Sequence, residues 1–402
     1  MIYFKKTGKW DAMKKLTLCL LLVLCGTLIF ASCAGSVDTT GTPATDTTAA
    51  DTTAPTSTTT TATAATTAAT TTAAVTTSGD TSSTIAPETT IPETTIPETT
   101  PTTTVPEVTE TTEATIVIPD PDEIGHNFMQ YLADDVRLSS IALPGTHDSG
   151  ALYDHALLAN TAKCQSLTIR EQLLAGVKYF DIRLVRDNGT LRVYHGSVDQ
   201  KQTFDEVLTA FYEYLDAYPS EALIVCIKEE DAAKGENEAF DTMVKAKINE
   251  NASRWYTQNA IPTLKDARGK LVLMRRFGTS GELGFNASSG FADNSADFTI
   301  TNGMYTLRCE DYYNNESPEK KWEAVEAFLR VMQNPADKTY YLCNTSGYKP
   351  GLFSIPNIKT ISDFVNPKLL SYLESAESLT GIVATDHITV ELAKAIYLQN
   401  FQ

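Results

Sequence analysis

Basic residues, cysteine and histidine are all scarce in this chain, and each shortage narrows what it can be. Of 402 residues, 32 are Lys or Arg against 50 Asp or Glu, a formal charge of −18. A nucleic-acid binder needs a basic face to meet phosphates, so that class is excluded. The same deficit removes any whole-protein attraction to an anionic membrane, and contact with an acidic lipid must then come from local cations and apolar insertion. Of seven cysteines, Cys19, Cys25 and Cys33 fall in an N-terminal apolar stretch, leaving Cys164, Cys226, Cys309 and Cys343. These four lack paired metal-ligand spacing. Cys226 and Cys343 sit in apolar strand-like runs, where a thiol behaves as a small buried hydrophobe, so structural thiols are preferred to a disulfide.

Long apolar runs are also scarce. The run Leu16–Phe30, preceded by Lys14-Lys15 and followed by Ala31-Ser32-Cys33, has the charged, apolar and small-residue regions of a secretion signal. It is short for a membrane span. The small residues before Cys33 resemble a bacterial lipoprotein signal, although Phe30 replaces the usual aliphatic residue. Residues 1–33 are therefore expected to be a signal peptide, with lipidation of Cys33 tethering an extracellular protein to the cell surface; ordinary cleavage and a retained membrane anchor stay open as alternatives.

From 34 to 120 the composition collapses to Thr, Ala, Pro, Ser and a few acids, with the repeat Ile91-Pro92-Glu93-Thr94-Thr95, Ile96-Pro97-Glu98-Thr99-Thr100. Nothing there can bury a core, so this stretch reads as a disordered stalk. At roughly 3 Å per residue its stretched reach is on the order of 250 Å.

Residues 121–402 alternate strand-like and helix-like stretches. Strand-like runs are centred on Ile141–Leu143, Val177–Arg183, Leu191–Gly196, Ala222–Ile227, Lys270–Phe277, Gly303–Cys309, Thr339–Asn344 and Gly381–Thr385. Thr203–Tyr218 and Ala232–Asn251 are helix-like. Continuous apolar strands separated by helices favour a parallel sheet covered on both faces, and eight of them suggest an α/β barrel.

Of the five histidines, two lie where a barrel keeps its chemistry. Ile141-Ala142-Leu143 runs into Pro144-Gly145, which delivers His147 and Asp148 at the strand's C-terminal end. A lone histidine is more often a hydrogen-bonded structural residue than a catalyst. Here two further strand ends carry Asp181-Ile182-Arg183 and His195-Gly196, and the three together carry the signal. His155 and His387 are expected in structural or rim roles, and His126 exposed at the stalk boundary.

At Leu143-Pro144-Gly145-Thr146-His147-Asp148-Ser149-Gly150, Phe180-Asp181-Ile182-Arg183-Leu184 and Tyr194-His195-Gly196 the chain resembles the bacterial phosphatidylinositol-specific phospholipase C family. The resemblance runs from Asn127 to the C-terminus through Ile227-Lys228-Glu229-Glu230, Asp266–Lys270 with Leu271–Arg276, Glu310-Asp311-Tyr312-Tyr313 and Ala384-Thr385-Asp386. It implies a TIM-type (β/α)8 barrel, irregular and not fully closed. It also implies catalytic roles for His147 as base, His195 as acid, Arg183 on the phosphoryl oxygens, Asp386 behind His147 and an ionised Asp148 that pairs with His195 and keeps it protonated, with Asp181 in the same group. Lys228, Glu230, Arg276, Asp293, Asp311 and Tyr313 resemble the positions that hold an inositol ring. The implied products are diacylglycerol and a cyclic inositol phosphate, from phosphatidylinositol or from glycosylated phosphatidylinositol anchors.

No cofactor is expected. Arg183 supplies the fixed positive charge that calcium supplies in metal-dependent relatives, and a calcium site would need several converging oxygen ligands. The expected partners are an inositol phospholipid and a membrane surface, with no nucleic acid and a monomeric chain. Gly347–Pro356, bearing Leu352 and Phe353, is a candidate for dipping into lipid. Two other readings stay open: a metal-dependent glycerophosphodiesterase, which would want a His-Arg-Gly start and an acid cluster around the base, and a surface module that binds inositol lipid without turnover.

Overall fold

The computed structural model describes residues 117–230, 238–351, 355–375 and 378–402. The signal peptide, nearly all of the stalk, part of the region from Ala232 and the pair Leu352-Phe353 lie outside the described residues. Its elements run in the order β1 Ala142–Thr146, α1 Ile169–Ala175, β2 Tyr179–Asp187, β3 Thr190–His195, β4 Val198–Thr203, α2 Phe204–Ala217 and β5 Leu223–Glu229. Then come α3 Phe240–Glu250, β6 Trp255–Tyr256, α4 Leu264–Ala267, β7 Leu271–Arg276, β8 Phe285–Asn286, β9 Ser295–Asn302 and β10 Tyr305–Asp311. The chain closes with α5 Pro318–Met332, β11 Thr339–Asn344, β12 Lys349–Pro350, β13 Pro356–Asn357, α6 Ile358–Ser375, β14 Gly381–Thr385 and α7 Val390–Tyr397.

The main sheet has the order β6-β7-β5-β2-β1-β14-β11-β10-β9. All neighbours from β6 to β10 are parallel, and β9 is antiparallel to β10. The path has two ends, so the barrel is open between β9 and β6. Hydrogen bonds of Asn259 to Asn302 and to the backbone of Asn286 fasten the loops on that side.

Eight parallel strands are present, but not the eight read from the sequence. Leu191–Gly196 is not a barrel strand. It belongs to β3, which folds back antiparallel on β2 with Asp187 opposite Thr190. Asn188 and Gly189 form the two-residue turn at φ 48° and 80°, the positive-φ pair that matches the twist of a hairpin. The eighth parallel position is taken by the two residues of β6.

Helix ends are set by local chemistry. Thr203 and Glu206 form a capping box at the start of α2, and Thr168 and Glu171 another at α1, which ends on Gly176 at φ 105°. Of the region expected helical from Ala232, residues 232–237 lie outside the described residues and the described part forms α3, Phe240–Glu250. His126, expected exposed, is half-buried: its ring meets Tyr218 edge-on at 4.7 Å, and its carbonyl accepts from the buried Lys178 ammonium at 2.6 Å. Cys164, Cys226, Cys309 and Cys343 are buried free thiols.

The period of two along each strand divides the core into layers. Phe180, Ile182, Leu184, Val225, Ile227, Leu271 and Leu273 pack against α1, α2 and α3. The alternate residues Leu143, Tyr179, Ile224, Cys226, Val272, Met274, Leu307, Cys309, Tyr340, Leu342, Ile382 and Ala384 fill the barrel interior, with Ile124, Phe128 and Met129 in the same cluster. A third cluster joins Tyr341, Cys343 and Val383 to α5, α6 and α7.

Candidate active site

Continuing each inward row by two residues gives the site. Leu143 and Gly145 lead to His147, Tyr179 leads through Asp181 to Arg183, and Ile224 and Cys226 lead to Lys228 and Glu230. Val272 and Met274 lead to Arg276, Leu307 and Cys309 to Asp311, Tyr340 and Leu342 to Asn344, and Ile382 and Ala384 to Asp386. Apolar side chains thus fill the lower barrel and polar ones finish each strand at its C-terminal end. Register then sets neighbours. Thr146 pairs with Thr385, which places His147 beside Asp386, while Arg183 pairs with Lys228 and Lys228 with Arg276, giving a row of three cations.

His147 is held from both sides. Its Nδ1 lies 2.9 Å from Asp386 Oδ1, and its Nε2 lies 2.7 Å from Arg183 Nη2. A guanidinium only donates, so Nε2 carries a lone pair and Nδ1 carries the proton that goes to Asp386. The ring is therefore a neutral, oriented base. Gln165, which sequence reasoning missed, donates to the carbonyls of His147 at 2.8 Å and Thr385 at 2.7 Å, tying the two strand ends together.

Arg183 is the hub. Its guanidinium faces Asp181 at 3.1 Å, Asp148 at 3.6 Å and Glu230 at 3.6 Å. Burial pushes the Asp181 carboxyl up, but Arg183, Arg276 and His147 outweigh it and hold it at about 2. Glu230 is likewise pushed up by burial yet held well below the carboxylate range by Lys228, 2.7 Å away, and by Arg183 and His195.

His195 reaches the site from the hairpin rather than from a barrel strand. Glu230 Oε1 accepts from the Gly196 backbone at 3.0 Å and fixes the tip. His195 Nδ1 lies 2.7 Å from the Ala162 carbonyl, so Nδ1–H donates there and Nε2 is left for chemistry. Ala162 is itself placed by Asp154, whose carboxylate accepts backbone N–H groups of Asn160, Thr161, Ala162 and Lys163, each at 2.9 Å. Neither Ala162 nor Asp154 left a signal in the sequence, because the contact depends on the path of one loop.

Asp148 differs from the expectation that an ionised carboxylate keeps His195 charged. It is fully buried, sits at φ 40°, and neither carboxylate oxygen makes a hydrogen bond. Its Oδ2 lies 3.9 Å from His195 Nδ1, facing a nitrogen already committed to Ala162. Burial drives Asp148 up to about 8 against the pull of Arg183, while burial and Arg183 lower His195. The physical reason is desolvation without enough hydrogen bonds. Both shifts favour a protonated Asp148 and a neutral His195 at neutral pH.

The expected ring contacts form a second group. Arg276 stacks over the Phe291 ring at 3.7 Å, and Asn344, which the sequence reading left out, donates to Asp311 Oδ1 at 3.2 Å. Tyr313 donates its hydroxyl to Asp293 at 2.5 Å and lies 6.1 Å from the Tyr348 ring. Behind them Lys321 of α5, fully buried, donates to both oxygens of Glu310 at 2.9 and 3.0 Å and to the carbonyls of Tyr312 and Asn344 at 2.9 and 2.6 Å. It clamps the ends of β10 and β11, the strands that carry Asp311 and Asn344. His155 and His387 stay at the edge, His387 facing Ser166 Oγ at 3.1 Å.

Comparison with known proteins supplies a family context. The family description "Phosphatidylinositol-specific phospholipase C, X domain" matches residues 142–277. A 1-phosphatidylinositol phosphodiesterase of Staphylococcus aureus strain Newman is 28% identical over 274 residues, 65% of this chain and 88% of that protein. One from Listeria monocytogenes is 30% identical over 207 residues, 49% of this chain and 61% of that protein. A crystal structure of phosphatidylinositol-specific phospholipase C from Staphylococcus aureus aligns with a TM-score of 0.63 at 25% identity, covering 69% of this chain and 99% of that one. Another structure of that enzyme, described for modulation of its membrane binding, aligns with a TM-score of 0.61 at 25% identity and the same coverage.

Proposed function

Because this chain belongs to the phosphatidylinositol-specific phospholipase C X-domain family, we propose that it cleaves phosphatidylinositol to diacylglycerol and a cyclic inositol phosphate without a metal. The observation that carries this reading is the imidazole of His147, gripped between Asp386 at 2.9 Å and Arg183 at 2.7 Å. His147 Nε2 takes the proton of the inositol 2-hydroxyl, whose oxygen attacks phosphorus. Asp386 stabilises the resulting imidazolium. His195 Nε2–H gives its proton to the departing diacylglycerol oxygen as the bond from phosphorus breaks.

Charge on the phosphoryl oxygens falls to Arg183, whose Nη2 releases His147 Nε2 as substrate enters and turns its fork to the phosphate, freeing the base for the hydroxyl. An approaching phosphodiester carries negative charge toward His195 and favours its imidazolium form; Nε2 takes that proton from solvent, since Asp148 faces the Nδ1 side, which already donates to Ala162. The cation row and Asp311, Asn344 and Tyr313 hold the inositol. A cavity of about 550 Å³ lined by Asn294, Tyr312, Asn314, Asn315, Glu316, Lys349 and Pro350 adjoins Tyr313 along the chain. Its amides give room for a glycan, so glycosylated phosphatidylinositol is included as substrate.

For membrane contact the structure offers an alternative to Leu352 and Phe353, namely Leu157 and Tyr153 on the loop after β1, 78% and 41% exposed. Replacing both by Ser is expected to slow vesicle cleavage while sparing a soluble short-chain substrate; equal loss on both would refute this. We further infer a monomer on the outer cell surface held through Cys33, supported by Ala31-Ser32-Cys33. Cys33→Ala is then expected to release the protein into the medium, and continued retention would count against the tether.

The direct test is cleavage of phosphatidylinositol vesicles by the full chain with chelator and with added calcium. Cyclic inositol phosphate formed at equal rates in both is the expected result. Product only with calcium would favour the metal-dependent phosphodiesterase, and tight vesicle binding without product would favour the binding module.

A further inference from the structure

Cys164 has no place in this chemistry, yet its sulfur lies in the middle of the site. Sγ is 3.8 Å from His195 Nδ1, and that nitrogen is 3.9 Å from Asp148 Oδ2. One ligand atom from each of the three residues lies within 4.8 Å of the others. Both carboxylate oxygens of Asp148 are buried without a hydrogen bond, an acceptor held ready with nothing to accept. The backbone pins the cysteine, since its N–H donates to Ala151 at 2.9 Å and its carbonyl accepts from His387 at 2.7 Å.

We propose that Asp148, Cys164 and His195 form an inhibitory binding site for a thiophilic divalent cation, Zn²⁺ being the natural fit. Tetrahedral ligands with bonds of about 2.3 Å for Zn–S and about 2.0 Å for Zn–N and Zn–O stand about 3.5 Å (S to N or O) and about 3.3 Å (N to O) apart. The Sγ–Nδ1 and Nδ1–Oδ2 separations of 3.8 and 3.9 Å therefore close by roughly 0.3 and 0.6 Å and the Sγ–Oδ2 side by up to about 1.3 Å, with water as fourth ligand. Cys164 binds as thiolate and releases its proton to solvent, and Asp148 binds as carboxylate. His195 binds as the neutral tautomer with its proton moved to Nε2, presents the Nδ1 lone pair to the metal and gives up its hydrogen bond to the Ala162 carbonyl. Arg183 loses one of its three carboxylates and keeps Asp181 and Glu230.

The cation and the imidazolium form of His195 exclude each other. A metal on Nδ1 leaves the ring neutral with its proton on Nε2, a far weaker acid than the imidazolium, so the bound enzyme protonates the leaving group poorly. His147, Cys164 and Asp386 also lie close enough to share a metal, but His147 and Asp386 already satisfy each other at 2.9 Å. Asp148, whose oxygens lack a hydrogen bond and face the Arg183 guanidinium at 3.6 Å, makes the His195 side the site.

Inhibition rests on the proposed role of His195, whereas binding does not, and the test separates them. In the full chain, Cd²⁺ is expected to give a thiolate-to-metal charge-transfer band that is lost in Cys164→Ser and Asp148→Asn and kept in Asp386→Asn. Zn²⁺ is expected to inhibit cleavage reversibly, with chelator restoring the rate. Cys164→Ser should raise the half-inhibiting concentration by more than about tenfold relative to its own metal-free rate, as loss of the soft ligand requires. A Cd²⁺ spectrum identical in wild type and Cys164→Ser overturns the site, as does a band lost in Asp386→Asn and kept in Asp148→Asn. A Cys164-dependent band with undiminished activity overturns inhibition and calls the acid role of His195 into question.

Discussion

Replacing Arg183 by Lys keeps the positive charge and removes the fork, which makes it the sharpest probe of how phosphoryl charge is stabilised. The guanidinium now reaches Asp181 at 3.1 Å, Asp148 and Glu230 at 3.6 Å each, and His147 Nε2 at 2.7 Å. An ammonium is a single point on a flexible stem and cannot meet all four. Losing one preorganised donor at developing charge costs about 2.7–4 kcal/mol, or roughly 10²- to 10³-fold in kcat. The ground-state attraction between cation and phosphodiester largely survives, so KM should move by less than about fivefold. The assay is initial rates on phosphatidylinositol in mixed micelles with chelator, beside circular dichroism to confirm the fold. An Arg183→Lys variant within about threefold of wild-type kcat would refute the reasoning, because charge alone would then suffice.

Burial and Arg183 lower His195 from its ordinary value of 6.5. In the free enzyme the protonated acid is therefore lost at a lower pH than an exposed histidine would show, and the negative substrate reverses that shift. The alkaline limb of kcat should lie at higher pH than that of kcat/KM, read from initial rates between about pH 5 and 8; coincident limbs would contradict the account. Lys321→Met should raise KM by more than about fivefold while kcat stays within about twofold, because the clamp acts on Asp311 and Asn344 and not on the histidines. The same variant leaves Glu310 buried without its partner, so its melting temperature should fall. Adding Glu310→Gln should recover part of that fall, and no recovery would count against the clamp.

Much of the site was legible because it follows a period of two. Leu143-x-Gly145-x-His147, Tyr179-x-Asp181-x-Arg183 and Ile382-x-Ala384-x-Asp386 each read as an inward apolar row with a polar end, and the strands were visible as apolar runs. The same rule points to Asn344 after Tyr340 and Leu342, yet an amide attracts less notice than a histidine. The hairpin was missed although Asn188-Gly189 is a strong turn signal, because Leu191–Tyr194 is as apolar as a barrel strand. β6 is two residues long, below any periodicity. Lys321 was invisible for a different reason: a lysine in a helix otherwise reads as solvated, and only the Glu310 carboxylate together with the carbonyls of Tyr312 and Asn344 makes its burial possible. Asp154 and Gln165 act through loop paths that no spacing encodes.

The central claim is that His195 protonates the leaving group while His147 activates the hydroxyl. The measurement that tests it most directly compares His147→Ala and His195→Ala on phosphatidylinositol and on an inositol phosphate ester with a nitrophenolate leaving group, which departs without a proton. The account predicts that His195→Ala loses on the order of 10²- to 10⁴-fold on the lipid and far less on the nitrophenyl ester, while His147→Ala loses about equally on both. Equal losses from His195→Ala on the two substrates would contradict it.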